Sequence, residues 1–318
     1  MKDLKILLLL CVIVGVLYWG IEPLAHKVFY PKTEPADFEF SDLKNLPTTG
    51  NVENGKQLVA TYCAACHSVV KDGLEGLSKE DAIAAYGIVP PDLSTAGAIY
   101  DSKFLANLIK NPVETLKLTH KFNDEKPFPM IATDVSDEEL GDIVAYLKSI
   151  GDEALENQII ESEEFKTKSQ SINNSNLSPS AKEGAIASLQ NDLKGKQVFI
   201  NACSRCHSMN YDKVDALVSN VENYLGSKAP DLSMMIRSRN IDRLHVFIND
   251  PQKIILGTPM PRIGLNEDAQ NALVNYMEKV GDSKKEERKT LGFIIIGFML
   301  LMTIVAYLWK VKIWRNVK

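Results

Sequence analysis

Apolar residues recur at helical spacing along most of the chain, and almost no segment alternates apolar and polar residues as a half-buried strand would. The clearest pattern lies in residues 137–150, where one predicted helix face is formed by Leu140, Ile143, Val144 and Leu147. A second helix of this kind is predicted over residues 267–280, and shorter helices over residues 55–61 and 195–201. The pattern therefore predicts an all-α fold.

Each of the two longer helices has residues that mark its ends. Ser136 and Asn266 precede the apolar faces, and their side-chain oxygens can accept hydrogen bonds from the unpaired N–H groups of a first helical turn. Gly151 and Gly281 follow the last apolar residues, and glycine is common just past a helix C-terminus. We therefore expect each helix to stop at its glycine.

Both ends of the chain carry long apolar segments. Residues 291–309 contain 19 residues without a charge, a length that suits a transmembrane helix, and the Lys and Arg residues that follow predict a cytoplasmic C-terminal end. Residues 1–21 are also apolar after two lysines, which predicts an N-terminal transmembrane helix or signal anchor, with a cleaved secretion signal as the alternative. Tyr18 and Trp19 suit a membrane interface and favour the uncleaved helix. Either interpretation exports residues 22–290.

The part of the chain between these ends contains an internal repeat. Both copies contain Gly-Lys-Gln, Cys-x-x-Cys-His, Pro-Asp-Leu-Ser and Pro-Met in the same order. The offset between the copies falls from 139 residues at Pro-Asp-Leu-Ser to 130 at Pro-Met, so the first copy has about nine extra residues in the loop before its methionine. We predict two domains, residues 48–151 (the first copy) and residues 192–282 (the second copy).

Residues 152–191 separate the two copies and differ from them in composition. The segment is acidic at its start and then rich in Ser and Asn. This composition predicts a linker or surface arm. Ser178 and Pro179 suit the start of a short helix that runs toward residue 190, and a disordered tether is the alternative.

Each copy contains one Cys-x-x-Cys-His motif, formed by Cys63, Cys66 and His67 and by Cys203, Cys206 and His207. Two cysteines at this spacing can each form a thioether bond to a porphyrin, while the adjacent histidine reaches the iron. A zinc ribbon would place its two cysteine pairs only about 15–20 residues apart, and a redox dithiol needs no adjacent histidine. The motifs therefore predict two covalently bound haem c groups.

The repeat also predicts the second axial ligand of each iron. Met130 and Met260 occupy the repeated Pro-Met pair, and proline stiffens an extended loop so that the sulfur can be held over the iron. Met234 and Met235 have no methionine counterpart in the first copy. His120, in the extra loop of the first copy, is the alternative ligand there. Each motif histidine is thus predicted to share its iron with the Pro-Met methionine of the same copy.

These features resemble class I cytochrome c, whose first and last helices cross next to the haem. The resemblance covers both copies, and Tyr146 and Tyr276 fall where that family packs an aromatic residue at the helix crossing. It implies an all-α chain with two tandem class I cytochrome c domains between N- and C-terminal transmembrane helices. An iron held by His and Met has no open position, so the implied task is electron transfer rather than substrate catalysis.

The layout, with its C-terminal anchor, resembles the di-haem cytochrome c subunit (cytochrome c1-like) of a bacterial quinol:cytochrome c oxidoreductase, the cytochrome bc1 complex. The resemblance implies cytochrome b and a Rieske iron–sulfur protein as partner subunits, with ubiquinol or menaquinol as reductant of the complex. A periplasmic cytochrome c or terminal oxidase would be the acceptor. It also implies the bacterial inner membrane, with the haem domains on the periplasmic side and both chain ends in the cytoplasm.

Three other interpretations remain open at this stage. The di-haem subunit of a cbb3-type cytochrome oxidase shares the tandem domains but normally has its anchor at the N-terminal side only. A free-standing membrane-tethered electron carrier would need no partner subunits. A di-haem peroxidase would need an iron with a vacant position, which two Pro-Met ligands disfavour.

Charge narrows the set of partners. Residues 6–309 contain 30 Lys and Arg against 40 Asp and Glu, a net charge of −10. An acidic surface repels nucleic acid, so no nucleic-acid partner is expected. The same surface would attract a basic soluble electron carrier, with an association that weakens as salt rises; the alternative is that the charge serves solubility alone.

Overall fold

The computed structural model describes residues 2–29, 34–123 and 125–316, and this part of the chain is helical, with three isolated β-bridges and no longer strand. The predicted all-α fold is confirmed. The α-helices are α1 Lys2–Val16, α2 Glu22–Phe29, α3 Val52–Tyr62, α4 Lys79–Tyr86, α5 Ala96–Ile99, α6 Ser102–Lys110, α7 Pro112–Thr115, α8 Asp137–Glu161, α9 Glu163–Asn173, α10 Pro179–Val198, α11 Val221–Leu225, α12 Met235–Ser238, α13 Ile241–Asn249, α14 Pro251–Ile254, α15 Glu267–Gly281 and α16 Lys285–Asn316. One π-helical turn, Leu17–Ile21, joins α1 to α2, and another, Phe199–Cys203, extends α10.

The two copies of the repeat fold alike, with the first and last helices of each copy crossing at a glycine. A Cβ at Gly55 of α3 would lie 2.0 Å from a backbone oxygen of α8, and a Cβ at Gly195 of α10 would lie 2.1 Å from a backbone oxygen of α15. Only glycine lets the backbones approach so closely. Tyr146 and Tyr276 lie at the two crossings, as the resemblance predicted.

The predicted N-caps of the two long helices are confirmed. The Ser136 side chain accepts a hydrogen bond from the Glu139 N–H at 3.2 Å, and the Glu139 carboxylate accepts one from the Ser136 N–H in return, which completes a capping box. The Asn266 side chain accepts a hydrogen bond from the Ala269 N–H at 2.8 Å. Each cap satisfies an N–H group that the helix itself cannot pair.

The prediction that Gly151 stops the first of these helices is wrong. Helix α8 continues through Gly151 to Glu161, whereas α15 does end at Gly281. A Cβ at Gly151 would lie 2.5 Å from the backbone nitrogen of Ala98, so this glycine permits close contact between α8 and α5. A glycine that allows close packing and a glycine that ends a helix look the same in the sequence.

Residues 152–191, expected to be a linker, are mostly helical and comprise the end of α8, all of α9 and most of α10. The predicted helix start is confirmed, since the Ser178 side chain caps α10, but the helix is longer than expected and runs into the second haem motif. The inward faces of α8 and α10 are buried in the same apolar cluster, through Leu155, Ile159, Leu189 and Leu193. The connection is therefore part of the packed structure.

The two copies share one apolar core and are also joined by backbone hydrogen bonds. The Asp101 N–H donates to the Gly264 carbonyl at 2.9 Å, and the Asn266 N–H donates to the Ile99 carbonyl at 3.0 Å. Gly264 has a φ of 75°, and a Cβ there would lie 2.1 Å from the Phe104 ring of the first copy. The two copies are thus in direct backbone and side-chain contact at this surface.

Within the described ranges, two helices are long and apolar enough to cross a membrane, Leu4–Phe29 and Lys285–Arg315, and their most apolar segments are not buried by the rest of the protein. The first helix continues past its predicted end at residue 21, and the second begins before its predicted start at residue 291. Only three residues separate the end of α15 at Gly281 from the start of α16 at Lys285. The second copy is therefore joined almost directly to the C-terminal apolar helix.

Two glycines of α10 test the role of the helix crossing. We expect Gly195→Ala to destabilise the protein by about 1–3 kcal/mol, because the new methyl group meets the backbone of α15. Gly184→Ala, in the same helix, meets nothing within 4 Å and should stabilise it by about 0.5–1 kcal/mol, because alanine loses less backbone entropy on folding. Thermal unfolding followed by circular dichroism measures both, and equal shifts in the two variants would contradict the close crossing.

Candidate haem sites

Each Cys-x-x-Cys-His motif forms a single tight turn at the end of the first helix of its copy. The His67 N–H donates to the Cys63 carbonyl at 2.9 Å, and the His207 N–H donates to the Cys203 carbonyl at the same distance. In the first copy the turn begins at Cys63, which caps α3, and in the second it follows the π-helical extension of α10. The turn brings both cysteines and the histidine to the same end of one helix.

The ring of each motif histidine is oriented by a proline carbonyl. His67 Nδ1 lies 2.9 Å from the Pro91 oxygen, and His207 Nδ1 lies 2.7 Å from the Pro230 oxygen. Because a carbonyl only accepts, Nδ1 is the donor and Nε2 carries the free lone pair, the form that binds a metal. Burial lowers the pKa of both histidines below its usual value, which favours this neutral ring.

The repeated Pro-Asp-Leu-Ser segment is therefore part of the site, a role that the sequence analysis missed. The Leu93 N–H donates to the Ser68 carbonyl at 2.9 Å, and the Leu232 N–H donates to the Ser208 carbonyl at 2.9 Å. These bonds fix the segment beside the residue that follows each histidine, which places the proline carbonyl against the ring. Its presence in both copies was the signal that could have identified it.

The two Pro-Met methionines occupy equivalent places, half-buried in irregular loops that precede the last helix of each copy. The other candidate ligands lie elsewhere. Met234 is 44% exposed at the start of α12, Met235 packs against the apolar core, and His120 is exposed in its loop. Met130 and Met260 thus remain the methionines that the two copies share, and their role as ligands stays a prediction.

Comparison with known proteins identifies the family. The model of the family named Cytochrome c matches residues 52–151 and 193–281, more than half of the chain and once in each copy. The chain belongs to the cytochrome c family. Members of this family bind haem c covalently and transfer electrons. A solved structure described as "Hyperthermophilic respiratory Complex III" is also similar, with 22% sequence identity and a TM-score of 0.34 over 40% of this chain and 77% of that chain.

The motif thiols of this cytochrome c are free, and two of them are strongly influenced by burial. All four motif cysteines are unbridged. Burial raises the pKa of Cys63 to about 11 and that of Cys203 to about 12. These two thiols are therefore protonated at neutral pH.

Two buried polar groups, one within the second motif and one packed against it, also fit a haem. The Arg205 Nε atom and the Tyr224 hydroxyl are both buried and have no hydrogen-bond partner among the described residues. Buried donors without partners are uncommon because they lose hydrogen bonds to water. The carboxylates at the edge of a haem are acceptors of the kind that these two donors need, so the residues present fit the cofactor of the family.

The extra loop of the first copy packs against the second site of the cytochrome c chain. The Phe122 ring lies 5.4 Å from the Tyr224 ring and 5.1 Å from the Phe128 ring, measured between centroids. Phe128 directly precedes the Pro-Met pair of the first copy, and Cys206 of the second motif packs against the same apolar cluster. The loop therefore joins the two sites through apolar side chains, a role that its sequence did not indicate.

In each copy, a cluster of three polar residues joins the loop after the haem motif to the helix crossing. Tyr146 donates a hydrogen bond to Asp72 at 2.6 Å, and Lys56 lies 2.9 Å from the same carboxylate. In the second copy, Tyr276 donates to Asp212 at 2.8 Å, and the lysine of the second Gly-Lys-Gln segment completes the cluster at 2.9 Å. The lysine of each repeated Gly-Lys-Gln thus supports the loop that follows the haem motif.

The first of these clusters predicts a dependence of stability on pH. Hydrogen bonds from Tyr146 and Lys56 lower the pKa of Asp72 below its usual value of 3.8. The stabilisation is complete above the unfolded-state value and is lost as the pH falls through the lower folded-state value. Asp72→Asn should therefore destabilise the protein by roughly 1 kcal/mol at about pH 7 and flatten the loss of stability below about pH 4.

Melting temperatures of the wild type and Asp72→Asn at about pH 7 and about pH 3 measure this effect. Asp134→Asn, at an exposed carboxylate outside the cluster, is the control and should keep the wild-type acid response. If Asp72→Asn loses as much stability in acid as the wild type, the cluster does not contribute as argued.

Proposed function

We propose that this chain is the di-haem c electron-transfer subunit of a cytochrome bc1-type quinol:cytochrome c oxidoreductase, oxidising ubiquinol or menaquinol. In this role it passes electrons from a Rieske iron–sulfur protein to a periplasmic cytochrome c or an oxidase. The observation that carries the proposal is the arrangement of the chain: two cytochrome c copies are fused into one core between two membrane-length helices, and the second copy adjoins the C-terminal one.

The proposal assigns one haem to each copy. The residues that form thioether bonds to the porphyrin are Cys63 and Cys66 in the first copy and Cys203 and Cys206 in the second. The iron ligands are His67 with Met130 and His207 with Met260. A haem iron held by His and Met supplies reversible one-electron chemistry with no open coordination position. The orientation of each histidine by a proline carbonyl supports the assignment, because it leaves Nε2 free to bind.

The surrounding residues hold the two sites at a fixed separation and keep water out of the region between them. Leu118 and Phe122 of the first copy and Val221 and Leu225 of the second are at most 8% exposed and form one apolar cluster there. A rigid, dry environment reorganises little when a charge changes, which suits electron transfer. The fused core thus replaces a diffusional encounter between two separate carriers.

The terminal helices support a location in the bacterial inner membrane. In the proposed topology the two helices span the membrane, both chain ends are cytoplasmic, and the haem-binding copies lie in the periplasm. The basic residues beyond Trp309 fit this orientation by the positive-inside rule. The acidic surface of residues 6–309, with its net charge of −10, suits a basic soluble acceptor.

Replacing the proposed distal ligands tests the assignment of the two irons. Met130→Ala and Met260→Ala should each lower the reduction potential of one haem and open that iron to carbon monoxide, so that each variant binds about one carbon monoxide per two haems. Potentiometric titration and carbon monoxide difference spectra measure this. Met234→Ala, at an exposed methionine, is the matched control and should bind none. Wild-type spectra and potentials in both ligand variants would refute the assignment.

Purification from native membranes in mild detergent tests the proposed complex. Haem staining and mass spectrometry identify what accompanies the chain, and cytochrome b with a Rieske protein is the expected result. A copper–haem oxidase core in their place would assign the chain to a cbb3-type oxidase. Isolation of the chain without partner subunits would indicate a free-standing membrane-tethered electron carrier.

A further inference from the structure

A short segment before the first cytochrome c copy, residues 37–46, crosses both copies and is called the strap here. At one end the Asp37 N–H donates to the Asn249 side chain at 3.1 Å, and the Asn249 amide donates to the Asp37 carbonyl at 3.1 Å. At the other end the Lys44 N–H donates to the Asn107 side chain at 3.2 Å, and the Asn107 amide donates back at 2.9 Å. The strap is thus bound to α13 of the second copy and α6 of the first.

The middle of the strap is fixed by a buried aromatic residue. Phe40 is fully buried, its ring lies 5.7 Å from the Phe104 ring, and the Arg262 guanidinium lies 4.8 Å from the Phe40 ring centroid. Phe40 has a φ of 47°, a left-handed conformation that a bulky residue adopts only when its surroundings enforce it. The Lys103 ammonium donates to the Phe40 carbonyl at 2.9 Å. These contacts give the strap a single defined path.

An ion pair joins the strap to the second copy. Arg262 donates two hydrogen bonds to Asp42, from Nη1 at 2.9 Å and from Nη2 at 2.8 Å, and its side chain is only 2% exposed. Lys117 of the first copy lies 3.2 Å from Asp42 and 2.5 Å from Asp250. A guanidinium so deeply buried needs its carboxylate partner, because the unpaired charge would lose its hydration without compensation.

The charge state of Asp42 agrees with this geometry. Burial raises the pKa of Asp42, but the hydrogen bonds and positive charges of Arg262 and Lys117 outweigh it and bring the pKa to about 2. The carboxylate is therefore ionised throughout the physiological range. A two-bond pair of this kind fixes the direction of the arginine as well as its position.

Arg262 lies two residues after Met260, and its backbone is held by the other copy. The Arg262 N–H donates to the Leu116 carbonyl of the first copy at 3.0 Å. At the corresponding place, two residues after Met130, the first copy has Ala132, an exposed residue that cannot form such a pair. The methionine loop of the second copy is therefore anchored from outside that copy by an ion pair and a backbone hydrogen bond. The loop before Met130 meets the second copy differently, through the contact of Phe122 with Tyr224 and a hydrogen bond from the Lys126 ammonium to the Tyr224 carbonyl at 3.1 Å.

We propose that the Asp42–Arg262 pair positions Met260, so that the strap and the first copy determine the distal ligation of the second haem. Arg262 acts through the loop backbone and is a positioning residue, not a ligand. This inference rests on the proposed function, in which Met260 is the second iron's ligand. The inference predicts that the two otherwise similar sites differ, because among the described residues the strap forms an ion pair with only one of the two methionine loops.

The test is Asp42→Asn in the full chain, with haem content checked first. Removing the carboxylate charge leaves Arg262 buried without its partner, so the loop should shift and Met260 should leave the iron in a large fraction of molecules. The ferric methionine-to-iron charge-transfer band should fall to about half its wild-type amplitude, and the reduced protein should bind about one carbon monoxide per two haems. Asp42→Glu, which keeps the carboxylate, should restore most of the band.

Arg262→Lys is the second variant, because it keeps the charge but cannot form the two-bond pair, and it should also weaken the band. Asp282→Asn is the matched control: it removes the carboxylate of another two-bond pair, with Arg288, outside the methionine loops, and should leave the band unchanged. An unchanged band in both Asp42→Asn and Arg262→Lys, together with a fall to about half in Met260→Ala, would overturn the inference alone. An unchanged band in Met260→Ala would overturn the ligand assignment, and the inference with it.

Discussion

The close crossing of the first and last helices in each copy is the constraint on which the remainder of the structure depends. Gly55 and Gly195 bring the helix backbones to a distance that no side chain would allow. The first helix then leads directly into the haem motif, and the last helix supplies the tyrosine that holds the loop after it. Burial of apolar surface would stabilise many arrangements of these helices at about 25 cal/mol per Å², since it has no direction. The glycines select one of them, and so determine where the cysteines and histidine lie.

The asymmetry between the copies arises from additions to the shared plan. The first copy contributes a longer loop that packs Phe122 against Tyr224 of the second copy. The strap contributes Asp42, whose partner in the second copy has no counterpart in the first. Helices α8 to α10 replace a flexible connection with packed structure. Each addition forms contacts between the copies. The repeated fold therefore provides two similar sites, and the additions join the two copies into one unit and give each site different neighbours.

The sequence identified the chemistry of the sites better than their setting. The motifs and the N-caps Ser136 and Asn266 depend on residues a few positions apart, and such local patterns determine local structure. The repeat could be recognised because the same motifs recur in the same order. The role of Gly151 was misinterpreted because this glycine permits a close contact between α8 and α5, which is far away in the chain. The pair of Asp42 and Arg262 joins residues 220 positions apart. No periodic pattern in the sequence indicates such a pair, so only the three-dimensional structure reveals it.

The junction between the second copy and the C-terminal helix limits how far that copy can move from the apolar helix. Three residues separate α15 from α16, and Lys285 pairs with Glu278 while Arg288 pairs with Asp282 across the junction. Exposed pairs of this kind are worth only about 0.2–1 kcal/mol each, so they favour one direction of the helix without locking it. The short connection imposes the stronger limit, because three residues span only about 10 Å even when extended. The second copy must therefore stay next to the start of the apolar helix, while the strap and the shared core carry the first copy with it as one body.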